Sequence, residues 1–175
     1  MRWKDFEAQQ PRLAELGREK LGGPGVVLVA TVRRDGSPRV SPVEPLFWDG
    51  DLWLGMGWES IKAQDLTRDP RVLVHSIVTS RDGGAGEYKV RGLAVLERGP
   101  VEQRYAEVCT RELGWSPVAG KFHLFRVDVL DVTYIRWAGD NDQYVTRWPS
   151  GTEFVRRGTS ATSVGPPEPM RDLLD

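Results

Sequence analysis

The chain has 175 residues, 39% of them hydrophobic, enough to bury one core and too few for two full domains. Its 24 basic and 25 acidic side chains are interspersed and give a formal net charge of -1, which excludes a field that would draw in nucleic acid or an anionic membrane. No apolar run approaches the ~20 residues that span a bilayer, the N-terminal MRWKDFEAQQ lacks the apolar stretch of a secretion signal, and the single Cys109 cannot form an internal disulfide, so a cytoplasmic location is expected.

Residues 3–21 read as a helical segment broken or restarted at Pro11 and ended by Gly22-Gly23, placed over a barrel opening. Residues 26–33 form a β-branched run that begins a sheet. Asp35-Gly36 and Asp49-Gly50 each separate apolar-alternating runs and predict two tight hairpins. Pro38, Pro42 and Pro45 lie in the run between them and cannot donate ladder hydrogen bonds, so that strand must be an edge, bulged or facing a ligand over part of its length. A short helix then opens on Ser60 and Lys62. Strands over 71–79 and 88–97 are joined by residues 80–86, whose three glycines predict a mobile loop. Val101 to Leu113 has helical spacing, with Pro100 in the first turn and Gly114 past the end. Residues 122–137 form a long strand whose alternation shifts near Leu130 and Asp131, predicting a bulge. Residues 143–148 and 153–157 supply a last hairpin around Pro149-Ser150-Gly151. About seven strands with short turns predict a mainly β fold with flanking helices, an antiparallel barrel, in one domain over 1–157. Residues 158–175, rich in Gly, Ser, Thr and Pro, are expected to be a flexible tail or to order on a neighbouring subunit. Trp53, Trp58, Trp137 and Trp148 exceed what one small barrel interior holds, which predicts a homodimer.

Arg39 on the second strand and Lys62 after Ser60 are the residues that carry chemistry. An arginine fork matches phosphate oxygens, a lysine adds a compact charge, and the free N–H groups of a helix start capped by Ser60 favour an anion. The same residues also read as a solvated strand arginine, a plain N-cap and an exposed helical charge. His75 and His123 lie in apolar strands without metal-ligand spacing and read as structural. Cys109 falls on the apolar face of its helix and reads as a small hydrophobe. No G-x-S-x-G, Walker loop or strand-to-helix G-x-G-x-x-G is present, which argues against hydrolase, nucleotidase and Rossmann chemistry.

The stretch DGSPRVSPV followed by SIKAQDLTRDPRV resembles the split β-barrel flavoproteins related to pyridoxamine 5'-phosphate oxidase. The resemblance implies a dimeric antiparallel split barrel that binds FMN, with Arg39 and Lys62 on its phosphate and the backbone over Arg39, Val40, Ser41 and Pro42 along the isoalloxazine ring. Ser60 lies near the phosphate, and Trp58 is a candidate for contact with the ring. Glu87 stands where the vitamin B6 oxidases carry a flavin-touching Gln, and Lys89 where they carry an Arg. The segment YVTRWPSGTEFVRR contains Arg147 and Trp148 but not the substrate-phosphate pattern of those oxidases, so pyridoxine phosphate is not the expected substrate. The implied activity is two-electron transfer at N5 of FMN to or from a small molecule. The alternatives are a reductase using the deazaflavin coenzyme F-420 and a flavin- or haem-binding carrier or sensor.

Overall fold

The computed structural model describes residues 1–118, 120–139 and 141–174. The chain opens with helices α1 (Trp3–Gln9) and α2 (Pro11–Gly17) and a π turn over Arg18–Gly22. Gln10, at φ -140° and ψ 66°, leaves the helical region between the two helices, as expected before a proline. Strands β1 (Val27–Val32) and β2 (Pro38–Val43) make the first hairpin, and β3 (Pro45–Trp48) and β4 (Asp51–Gly57) the second. Both central residues of the second turn have positive φ, 51° at Asp49 and 73° at Gly50, the geometry that follows the twist of a hairpin. Helix α3 (Ile61–Arg68), β5 (Arg71–Ser76), β6 (Glu87–Glu97), α4 (Pro100–Leu113), β7 (Phe122–Ala138), β8 (Asp142–Trp148), β9 (Thr152–Ser160) and β10 (Ser163–Pro169) follow.

All strand pairs are antiparallel, in the order β10-β9-β8-β7-β6-β5-β1-β2, with β4 joining β3 to β7. The 17-residue β7 divides the sheet. Its first residues, Phe122–Arg126, pair with β4, whereas Val132–Ala138 pair with β8, and β6 runs along the other side of both parts. The predicted bulge is present: the register slips between Arg91 and Gly92 and leaves Leu130 unpaired. A Cβ on Gly92 would sit 2.4 Å from the Asp128 carbonyl oxygen, so the slip demands glycine.

Three expectations differ from the structure. The proline-bearing run is two strands that part at Glu44, β2 pairing with β1 and β3 with β4. Of residues 158–175, expected to be a flexible tail, Gly158–Ser160 extend β9 and Ser163–Pro169 form β10, which folds back on β9 with register shifts around Val164 and Pro167. Prolines are tolerated there because an outermost strand needs only one side of its ladder. Residues 80–86, expected to be mobile, make successive turns closed by Gly83 N–H to Ser80 O (3.4 Å) and Gly86 N–H to Gly83 O (2.9 Å). A Cβ on Gly83 would strike Trp137 and one on Gly86 would strike Tyr134, so the glycines let this turn lie flat on two aromatics.

The N-terminal helices do close one face of the barrel: Trp3, Phe6, Leu13, Ala14 and Leu21 join the core formed by β1, β4, β5, β6 and β7. A Cβ on Gly17 would lie 2.7 Å from both Trp3 and Tyr88, and the Tyr88 hydroxyl donates to the Leu13 carbonyl oxygen (2.8 Å). A second cluster seats α4 through Tyr105, Val108 and Cys109 on Leu46, Trp53, Phe122 and Leu124. Trp53 and Trp148 are thus buried within one chain and leave no demand for a partner, while Trp58 is exposed. No helix among the described residues is long and apolar enough to cross a membrane.

Candidate functional site

Helix α3 and the β1–β2 hairpin meet through one carboxylate. Asp65, buried on the inner face of α3, accepts from Arg39 Nε (2.7 Å), Thr31 Oγ1 (3.0 Å) and Arg68 Nη2 (3.2 Å). Burial works to raise its pKa, but Arg39, Thr31 and Arg68 outweigh it and hold the carboxyl below its usual range. Asp65 therefore stays charged and fixes the fork of Arg39 against the helix. Around this anchor lies a recess of about 450 Å³ with Arg33, Arg34, Arg39 and Arg68 in its wall, opposed only by Asp35 and Asp65. The four guanidiniums and two carboxylates leave two positive charges in excess.

A second cleft of about 360 Å³ runs between the end of β2 and the end of β4, lined by Val26, Pro42, Val43, Glu44, Gly55, Met56, Gly57 and Lys62 and bordered by Trp115, with Glu44 as its one carboxylate. Lys62 Nζ donates to the Pro42 carbonyl oxygen (3.1 Å) and so spans from α3 to β2. A Cβ on Gly57 would meet nothing within 4 Å, so the strand end leaves open space in front of its backbone. Ser60 precedes both Ile61, which lines the arginine recess, and Lys62, which lines the cleft. Its backbone has the extended form of an N-cap, yet its side chain caps nothing: Oγ is buried and has no hydrogen-bond partner. A buried hydroxyl without a partner costs free energy, and a ligand oxygen at the start of α3 would relieve it.

The structure thus places Arg39 in one hollow and Pro42 and Lys62 in the other rather than all in one, the two sharing no lining residue; Ser60, at the α3 start, lines neither. Val40 is 60% exposed on β2 and Ser41 is half-buried; neither lines a hollow. Trp58 also lies outside the cleft lining and stacks on His123, with centroids 5.0 Å apart and planes at 12°. His123 is buried, faces Arg98 Nη2 at 3.4 Å and the Glu59 N–H at 3.4 Å, and has its pKa lowered by burial and then by Arg98. Glu87 pairs with Lys89 (2.8 Å) and His75 (3.3 Å), and none of the three lines the cleft. The Cys109 thiol is buried, which pushes its pKa up and keeps it protonated.

Sequence reasoning missed Arg33, Arg34, Asp65 and Arg68. The available signals were the doublet of arginines before the Asp35-Gly36 turn and the three-residue spacing of Asp65 and Arg68 on one helix face.

The family model of pyridoxamine 5'-phosphate oxidase matches residues 13–136. Among solved structures, a NimC/NimA family protein of Clostridium acetobutylicum is 18% identical with a TM-score of 0.59, covering 81% of this chain and 96% of that one. An F420 reductase is 22% identical with a TM-score of 0.51, covering 66% of this chain and 94% of the other. A haem-binding protein of Mycobacterium smegmatis is 17% identical with a TM-score of 0.53, covering 75% of this chain and 57% of that one. At these identities the likenesses establish the fold. No protein of curated function matches the sequence.

Proposed function

Because the chain belongs to the pyridoxamine 5'-phosphate oxidase family, we propose that it is a flavin-dependent oxidoreductase that holds FMN across the arginine recess and the Lys62 cleft. The observation that carries this reading is the pairing of a doubly cationic recess with an open, backbone-lined cleft on either side of a helix start whose buried Ser60 hydroxyl has no partner. FMN has the matching form, a phosphate dianion at one end and a flat ring at the other. When bound, it supplies two-electron chemistry at its N5, a property of the cofactor itself. The chain's part is binding and orientation. Arg39, locked by Asp65, presents its remaining N–H groups to phosphate oxygens, Ser60 Oγ and the free N–H groups of the α3 first turn donate to the same group, and Lys62 holds the junction between phosphate and ring. Gly57, with open space where a Cβ would sit, lets the ring approach the β4 backbone.

The deazaflavin F-420 is the second reading, favoured by the shared fold of the F420 reductase and by the same need for a phosphate cradle. A haem carrier is less favoured, because the described residues lining the cleft include no histidine or cysteine to ligate iron. The protein is further proposed to act in the cytoplasm as a homodimer, because Val40 and Ile61, each 60% exposed, and half-exposed Trp58 flank the site and a second copy would cover them. The test is titration of the purified chain with FMN and with F-420, followed by anaerobic reduction and readmission of air. An FMN spectrum that bleaches and returns supports the first reading; a bound F-420 band that does not respond to air supports the second; binding of neither overturns both.

A further inference from the structure

Beside the Lys62 cleft, a smaller recess of about 200 Å³ is lined by the end of β4, α4, the segment that follows α4 and the start of β7. Its wall is made of Met56, Tyr105, Trp115, Pro117 and Phe122, with Lys121 as its single charged member. Gly55, Met56, Gly57 and Trp115 line both this recess and the cofactor cleft. Of those four, Gly55 must lack a side chain because a Cβ there would meet the Tyr105 hydroxyl at 2.5 Å, whereas the space at Gly57 is open. The β4 end thus borders both hollows.

We infer that this recess is the substrate subsite of the proposed cofactor site and takes a single aromatic ring carrying a carboxylate. The inference rests on the FMN reading for the word substrate, and on the recess alone for the ligand. Size sets the ring count. An apolar cavity of about 150 Å³ accommodates benzene, so about 200 Å³ matches one six-membered ring with a small substituent, and a fused second ring would project beyond it. Lining sets the ring type. Tyr105, Trp115 and Phe122 offer faces and edges to a flat π system, and Pro117 and Met56 fill the remainder with adaptable apolar surface. Charge sets the substituent. Lys121 is exposed and has no ion-pair or hydrogen-bond partner for its ammonium among the described residues, and no carboxylate lines the recess to neutralise it. An anion on the ring would supply that partner. Trp115, half out of the surface on the segment after α4, borders both hollows and would cover a ring seated at their junction.

Titration with benzoate, benzyl alcohol and 2-naphthoate, followed by Trp fluorescence and calorimetry on the full chain with and without FMN, tests this. Benzoate is expected to bind saturably, with benzyl alcohol about tenfold weaker and 2-naphthoate weaker than benzoate, and Lys121→Met is expected to weaken benzoate about tenfold while leaving benzyl alcohol, FMN affinity and the melting temperature unchanged. No saturable benzoate binding, or binding that ignores Lys121, overturns the inference. Benzoate binding that depends on Lys121 in a chain that fails to retain FMN upholds the recess and overturns the cofactor reading; FMN binding without benzoate does the reverse.

Discussion

Asp65 is the anchor of the arginine recess, and Asp65→Ala measures how much of the fold depends on it. The substitution strips three donors of their acceptor: Arg39 Nε at 2.7 Å, Thr31 Oγ1 at 3.0 Å and Arg68 Nη2 at 3.2 Å. Removing one member of a buried ion pair costs about 3–5 kcal/mol. The Arg39 and Arg68 side chains remain 22% and 35% exposed, so water recovers part of their solvation, and the lower end, about 3 kcal/mol, is expected. For a chain of this length that lowers Tm by roughly 6–12 °C. Asp65→Asn keeps an acceptor and loses the charge, so its cost falls to about 1–2 kcal/mol. The pH dependence has a definite sign. Because the folded carboxyl is held below its ordinary value, its contribution is present above about pH 4 and is lost as pH falls through the folded pKa. Thermal unfolding followed by circular dichroism at pH 7 and in acid should therefore show a wide gap between parent and Asp65→Ala that narrows below about pH 4. A Tm drop of less than about 2 °C at pH 7 would refute the claim that this carboxylate organises the arginines.

Arg39→Ala and Lys62→Ala should each weaken FMN retention by about 1.5–3 kcal/mol, roughly ten- to hundredfold by equilibrium dialysis, because each removes one charge-assisted contact. Ser60→Ala should keep the unfolding free energy within about 0.5 kcal/mol of the parent or raise it slightly, since a buried Oγ without a partner is what is lost, and still weaken FMN; a satisfied N-cap would instead cost ~1 kcal/mol in the free chain. His123 faces Arg98 and the Glu59 N–H under the Trp58 ring, with Glu59 and Glu102 as the nearby acids, and burial and then Arg98 lower its pKa. The unfolded chain therefore takes up a proton that the folded chain resists. The parent should lose stability as pH falls through about 6.5 toward the folded value, whereas His123→Gln should show a flatter profile over that range. A profile that is equally steep in the variant would remove His123 as the cause.

The parts of this molecule that were legible in the sequence are those fixed by local stereochemistry. Asp49-Gly50 supplies the two positive φ angles of a tight hairpin, Pro11 separates two helices, Gly114 ends α4 in the left-handed region, and the shift of alternation at Leu130 marks a true bulge. What escaped depends on partners distant in sequence. The break at Glu44 arises because β2 and β3 belong to different neighbours. Strand β10 carries three prolines and has strand form only because β9 offers a ladder to one side of it. The same division holds at the site. Arg39 and Lys62 were found through a strand and helix motif, but Arg33 and Arg34 come from a turn, Arg68 from the far end of α3, and they converge only once Asp65 ties the helix to the hairpin. Trp58 is a candidate ring contact by its place before Ser60; its stacking on His123, 65 positions further along, is not legible from its sequence neighbours.

The most direct test of the account is the ratio of FMN to riboflavin affinity, measured on the purified chain by quenching of flavin fluorescence. The two ligands differ only in the phosphate, and the recess is built around a surplus of two positive charges. FMN should bind at least about tenfold more tightly, and the preference should shrink when Arg39 and Lys62 are both replaced by alanine. Equal affinities, or no binding of FMN at all, would contradict the assignment of this site to a flavin phosphate.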